Sequence, residues 1–134
     1  MNLSQQAATV GINAMAAEFN SATITIYSGT MPASPETALS GNTALVTGTY
    51  AATAFGTPTY VSPDMQATAS FTAANYAPAA SGTASFARVT ESNGTTVIAD
   101  LTVGTSGTDI IIGSTSIVTG TNVSFSQTLG IPAV

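Results

Sequence analysis

Two strand-like runs, ASFARVT at residues 84–90 and TVIADLTV at residues 96–103, flank the polar stretch Glu91-Ser92-Asn93-Gly94-Thr95. β-Branched and aromatic residues on either side of an Asn-Gly pair read as a β-hairpin, because Asn and Gly tolerate the positive φ angles of a type I′ turn. With Asn93-Gly94 at the centre of the turn, Ser92 opposes Thr95, Val89 opposes Ile98, Arg88 opposes Ala99 and Phe86 opposes Leu101. Asp100 then opposes Ala87, and Glu91 opposes Thr96. Arg88 shares a face with Phe86, Val97 and Leu101, the more apolar side of the hairpin.

Outward from the hairpin the same period of two recurs. Thr23, Thr25 and Tyr27 alternate with Ile24 and Ile26, which predicts a half-buried strand over residues 22–28. Further strands are expected at 43–50, 59–61, 69–73, 110–112, 116–118 and 122–129. Gly29, Pro32, Pro35 and Gly41 mark residues 29–42 as a loop, and Gly56, Pro58 and Pro63 make 51–68 a long excursion. Short strands broken by Gly and Ser predict a mainly β fold: a single antiparallel β-sandwich, jelly-roll or Ig-like, with one N-terminal α-helix.

That helix is expected over residues 3–19, with Ser4 as N-cap and Asn20 as the stop. Leu3, Ala7, Val10, Ala14 and Ala17 fall on one stripe that Ile12, Met15 and Phe19 widen, and Gly11 is the weak point. The stripe is read as closing one end of the β-core, with recognition of a partner as the alternative. Residues 1–20 form a helical segment and 21–134 the β-sandwich, one structural domain overall.

Composition excludes more than it identifies. Arg88 is the one cation against Glu18, Glu36, Asp64, Glu91, Asp100 and Asp109, and the chain has no His, Cys, Lys or Trp. Common zinc and haem sites, a cysteine nucleophile and a Ser-His-Asp triad are therefore excluded, as are Schiff-base and P-loop chemistry. A lone Arg cannot neutralise a phosphate backbone, so no nucleic-acid partner is expected. No apolar run is long enough for a membrane-spanning helix, and no signal-peptide pattern opens the chain. Synthesis in the cytoplasm is the expectation.

Scattered carboxylates do not pair into a glycosidase site, and Asp100 and Asp109 do not match a calcium loop. Gly104-Thr105-Ser106-Gly107-Thr108-Asp109 lacks the lysine and the following helix of a phosphate cradle and reads as a turn. No catalytic, cofactor or metal residue is assigned, no cofactor is expected, and the chain is not expected to be an enzyme. Arg88, on an apolar face, must be paired or sit at a rim. The alternatives are an ion pair within the chain or a snorkelling side chain, and a pair with a carboxylate of a neighbouring subunit. Thr, Ala, Ser and Gly supply 74 of 134 residues, whereas Leu, Ile, Val and Phe supply 28. A modest private core under a weakly charged surface predicts a homo-oligomer arranged around a local symmetry axis.

The order of segments also resembles a known family. ITIYSGTMPA (24–33) and TALSG (37–41) come early, GTASFARV (82–89) and ADLTVGTSGTD (99–109) late, and SIVTG (116–120) and VSF (123–125) close the series. Together they are similar to a family of small virion proteins of tailed bacteriophages. The resemblance implies a structural role in the virion and supplies no catalytic residues. It points to a capsid decoration or cement protein bound to the major capsid protein, with a neck, collar or tail component as the alternative. A carbohydrate-binding module of a fibre is a further alternative, for which the chain has few aromatic platforms.

Overall fold

Threonine and isoleucine alternate along β1 (Thr23–Tyr27), and the structure, a computed structural model that describes residues 1–134, buries Ile24 and Ile26 completely. Thr23, Thr25 and Tyr27 lie half-exposed on the other face. The remaining strands are β2 (Ala44–Phe55), β3 (Thr59–Val61), β4 (Asp64–Phe71), β5 (Gly82–Thr83) and β6 (Phe86–Thr90). They are followed by β7 (Val97–Gly104), β8 (Ile110–Ile111), β9 (Ser116–Ile117) and β10 (Ser126–Pro132).

The strands do not form the two packed sheets of a sandwich. Pairing runs β1–β2–β4–β10–β8–β7–β6 and returns to β1, so seven strands close into a barrel. β3 adds to β4 outside the ring, and β5 and β9 make a separate two-stranded ribbon. Closure carries a parity rule: an odd ring cannot alternate strand direction at every step. One parallel pair is required, and it falls at β7–β8, where Val103 pairs with Ile110 and Gly104 with Ile111. The expected all-antiparallel sandwich is corrected on both counts. The barrel and the sandwich share one alternation, with one face of each strand turned inward, so periodicity alone does not separate them.

The inner face is set by register. Ile24 lies between Gly48 and Val89, and Ile26 between Val46 and Ala87. Each such aliphatic side chain contributes about 1.5–3 kcal/mol on full burial. Gly48 is required by what covers it. A Cβ there would run into the rings of Phe125 and Tyr76, which stack with centroids 5.3 Å apart.

The hairpin at 84–103 forms, with a different turn. Gly94 has φ +78°, whereas Asn93 keeps a negative φ, so the turn is not type I′. The Gly94 N–H donates to Glu91 O (2.9 Å), placing Ser92 and Asn93 at the centre, and Asn93 Oδ1 accepts from the N–H groups of Thr95 and Thr96. Glu91 and Thr96 close the loop opposite each other, as expected, through a 2.8 Å backbone bond. Thr90 then pairs with Val97, but Val89 pairs with Ala99. The extra residue, Ile98, is a β-bulge that shifts the ladder by one. In consequence Arg88 faces Asp100, and Ala87 faces Leu101.

Residues 51–68 are more regular than their Gly and Pro content suggests. β2 continues to Phe55, and β4 begins at Asp64. Helix α1 (Gln5–Glu18) starts as expected, with Ser4 Oγ accepting from the Ala7 N–H at 3.1 Å, and it ends one turn before Ser21, whose φ is +58°. Its buried face is Ala8, Ile12 and Phe19, packed against β2, β4 and β10 and continuous with the barrel core. The expected stripe of Ala7, Val10, Ala14 and Ala17 instead faces outward. Gly11 permits the close approach, since a Cβ would lie 3.1 Å from Ile131 Cδ1.

Candidate functional site

Arg88 is the side chain to build from. On β6 the inward residues are Ala87 and Val89, which places Phe86 and Arg88 on the outer face of the barrel, yet Arg88 is only 8% exposed. The cover is the segment between β1 and β2. Its ends are tied by the Ser28 N–H donating to Thr43 O (3.0 Å), and Asn42 Nδ2 donates to Ser28 O and Thr30 O, each at 3.0 Å. Ser85 Oγ donates to the carbonyls of Tyr27 and Gly29. The strap so held lays two carbonyl oxygens over β6.

Arg88 binds both the barrel and the strap. Nε donates to Asp100 Oδ1 at 2.7 Å and Nη2 to Oδ2 at 2.8 Å, the two-pronged geometry that a planar guanidinium shares with a carboxylate. Nη1 donates to Thr37 O at 2.9 Å, and Nη2 also reaches Ser34 O at 3.5 Å. The hydrogen bonds to Asp100 hold the guanidinium charged, above even the ordinary arginine range and against the opposing effect of burial. Of the two pairings open to Arg88, the intrachain one is formed, and the β-bulge at Ile98 brings the partner into line. With its donors directed to its own chain, the group acts as a clamp on the strap.

The other anions lie apart. Asp109 accepts from the Thr102 N–H and Oγ1, both at 3.0 Å, and so closes the turn between β7 and β8. Glu91, at the hairpin turn, meets Glu18 at the C-terminal end of α1. Its carboxyl is held above the usual carboxylate range, first by hydrogen bonding with Glu18 and then by desolvation and the charge of Glu18. No group of three or more His, Cys, Asp or Glu side chains comes together. No helix is long and apolar enough to cross a membrane.

Two clefts bear on the question of a binding site. A groove of about 550 Å³ runs beside Arg88 between the strap, at Pro35, Glu36 and Thr37, and the hairpin end, at Thr95 and Thr96. A cleft of about 300 Å³ is bounded by Ser114, Ser116, Thr121, Asn122 and Ser124 over Ile117 and Val123. Its lining has no titratable group and no aromatic ring, so it offers only neutral hydroxyl, amide and aliphatic contacts. No family model matches the chain, and no curated protein or solved structure matches it either.

The residues that sequence reasoning missed are those of the strap carbonyls, the Glu18–Glu91 contact and the outward face of α1. Backbone acceptors leave no mark in composition. The helix face did leave one: both faces are apolar, but the large residues Ile12 and Phe19 sit on the buried one. Side-chain size, more than the count of apolar positions, identifies the core side.

Proposed function

We propose that the chain is a structural component of a tailed-bacteriophage particle, a decoration or cement protein that seats on the major capsid protein and stiffens the shell. The observation that carries this reading is where the family-like segments meet. Residues 24–33 lie far in sequence from 82–89 and 99–109, the two arms of one hairpin, yet the three segments supply β1, β6, β7 and the turn into β8, which are consecutive neighbours in the barrel. The strap that follows the first segment is clamped by Arg88 of the second and Asp100 of the third. Segments that jointly build one wall behave as a fold-determining unit and carry no reactive chemistry.

The surface supports the same reading. The cation and two of the six carboxylates, Asp100 and Asp109, are committed to internal contacts, leaving a surface dominated by hydroxyl and small apolar groups. Such a surface suits extended contacts of modest strength, repeated many times around symmetry axes. The protein then works as a homo-oligomer or array on the shell, a trimer being the economical arrangement at a three-fold axis, and it resides in the virion.

Copy number tests the reading. Quantified gel densitometry of purified particles, calibrated with the isolated protein, should give on the order of hundreds of copies, because a shell lattice repeats its sites. A count of roughly six or twelve assigns the protein to the neck or tail, where rings have low cyclic order. Absence from purified particles removes the virion reading altogether.

A further inference from the structure

Asn93 is the one asparagine of the chain's seven that precedes a glycine. An asparagine followed by glycine is the pair most open to reaction with itself. The next backbone nitrogen has no neighbouring Cβ to hinder its approach to the side-chain amide. Both residues are exposed, and nothing lies within 4 Å of where a Cβ would stand on Gly94. Sequence and exposure therefore favour attack. The hydrogen bonds oppose it.

Every group that the reaction needs is occupied in the closed turn. The Gly94 N–H, which must lose its proton, donates to Glu91 O at 2.9 Å. Asn93 Oδ1 accepts from the N–H groups of Thr95 and Thr96, each at 2.9 Å, and from Thr95 Oγ1 at 3.3 Å. Asn93 Nδ2 donates to Thr96 Oγ1 at 2.8 Å and to Glu91 Oε2 at 3.3 Å. The side-chain amide is held at both ends, an Asx-turn with further anchors on its nitrogen.

We propose that Asn93 is a latent modification site, kept unreactive by the closed hairpin turn and converted to aspartate or isoaspartate when the turn opens. In the open turn hydroxide removes the Gly94 amide proton, and the nitrogen forms a bond to Asn93 Cγ. The Cγ–Nδ2 bond breaks, and the amine leaves as ammonia with a proton from water, which restores the hydroxide. Water then opens the succinimide ring. Breaking the new Cγ–N bond leaves aspartate. Breaking the original peptide C–N bond leaves isoaspartate, with the chain running through Cγ. No oxidant or reductant takes part, since an amide and water become a carboxylic acid and ammonia.

The product does not rebuild the same turn. Nδ2 and its donated bonds are gone, and a carboxylate stands where the amide faced Glu91 Oε2. Isoaspartate also adds a methylene to the main chain at this position. Opening is reversible and the chemistry is not, so converted chains accumulate as a record of hairpin opening. Thr95 and Thr96 border the groove beside the strap, so the added charge falls near its rim. This chemistry needs no partner and holds whether or not the chain belongs to a particle.

The test follows deamidation of the wild-type chain at mildly alkaline pH, by peptide mapping with mass detection and by enzymatic labelling of isoaspartate. In guanidinium chloride Asn93 should convert before the other six asparagines. In the folded chain its rate should fall by about tenfold or more, because only the open fraction reacts. T96A removes one anchor of Nδ2, so it should react faster than wild type when folded and at the same rate when unfolded. Equal wild-type rates in the folded and unfolded chain overturn the proposal, as does a folded T96A chain no faster than wild type. An unfolded chain that converts another asparagine first overturns it as well. Should T96A fail to fold, the two wild-type rates still decide the question.

Discussion

Arg88 and Asp100 form a buried ion pair whose removal has asymmetric consequences. Replacing Arg88 by Met leaves the Asp100 carboxylate buried without its partner and frees the strap, and the expected cost is about 3–5 kcal/mol. Replacing both, as R88M/D100L, removes the uncompensated charge and should recover much of that loss in urea denaturation. Equal destabilisation of the single and double variants would contradict the clamp. Glu91 predicts the opposite sign. Its folded pKa lies above its ordinary value because Glu18 favours the protonated form. That contribution is complete below the ordinary glutamate pKa of about 4.3 and is lost as pH rises through the folded one. E91Q should therefore raise the urea midpoint at pH 7 relative to wild type, with the gain shrinking toward pH 4. A gain of equal size at both pH values would show that Glu18 is not the cause. That Arg88 is paired or lies at a rim was legible from its apolar face. The identity of that carboxylate was not, because it depends on a bulge one residue long.

Among the elements, β1 and β6 were legible because alternation and β-branching agree with a half-buried pleat. The helix was legible as a helix, from its cap and its period, but not in its orientation. Two apolar faces compete there, and tertiary contact with β2, β4 and β10 selects the one with Ile12 and Phe19. Within 51–68 the strand at 59–61 was legible, but the reach of β2 and the start of β4 were not, because Gly56, Pro58 and Pro63 signal breaks while cross-strand pairing with β10 and β3 holds β4 from Asp64 onward. Gly48 shows the same limit within a strand. Its absent side chain makes room for the Phe125–Tyr76 stack, which comes from a segment some thirty to eighty residues away in sequence. G48A should cost about 1–3 kcal/mol through overpacking, measured by thermal unfolding. A variant as stable as wild type would show that the stack moves aside freely.

At the scale of the whole molecule, periodicity indicated a β fold and composition a modest core, and the closed seven-stranded barrel satisfies both while leaving no open edge within its ring. Closure was not legible, because β4–β10 pairing joins residues about sixty apart and rests on no local motif. The parallel β7–β8 step was not legible either, although the turn that permits it, closed by Asp109 on Thr102, was read as a turn. Tyr50 illustrates how the interior tolerates polarity. Its hydroxyl donates to buried Gln127, and burial pushes its pKa above the ordinary tyrosine value. The exterior, poor in charge and rich in hydroxyls, is the part that bears on the proposed function, repeated contacts on a phage capsid. Cryo-electron microscopy of the intact particle tests this most directly. Density for a seven-stranded barrel with one flanking helix is expected, repeated across the outer face of the major capsid protein lattice. Barrel density confined to the neck or tail, or a shell with no such density, would contradict it.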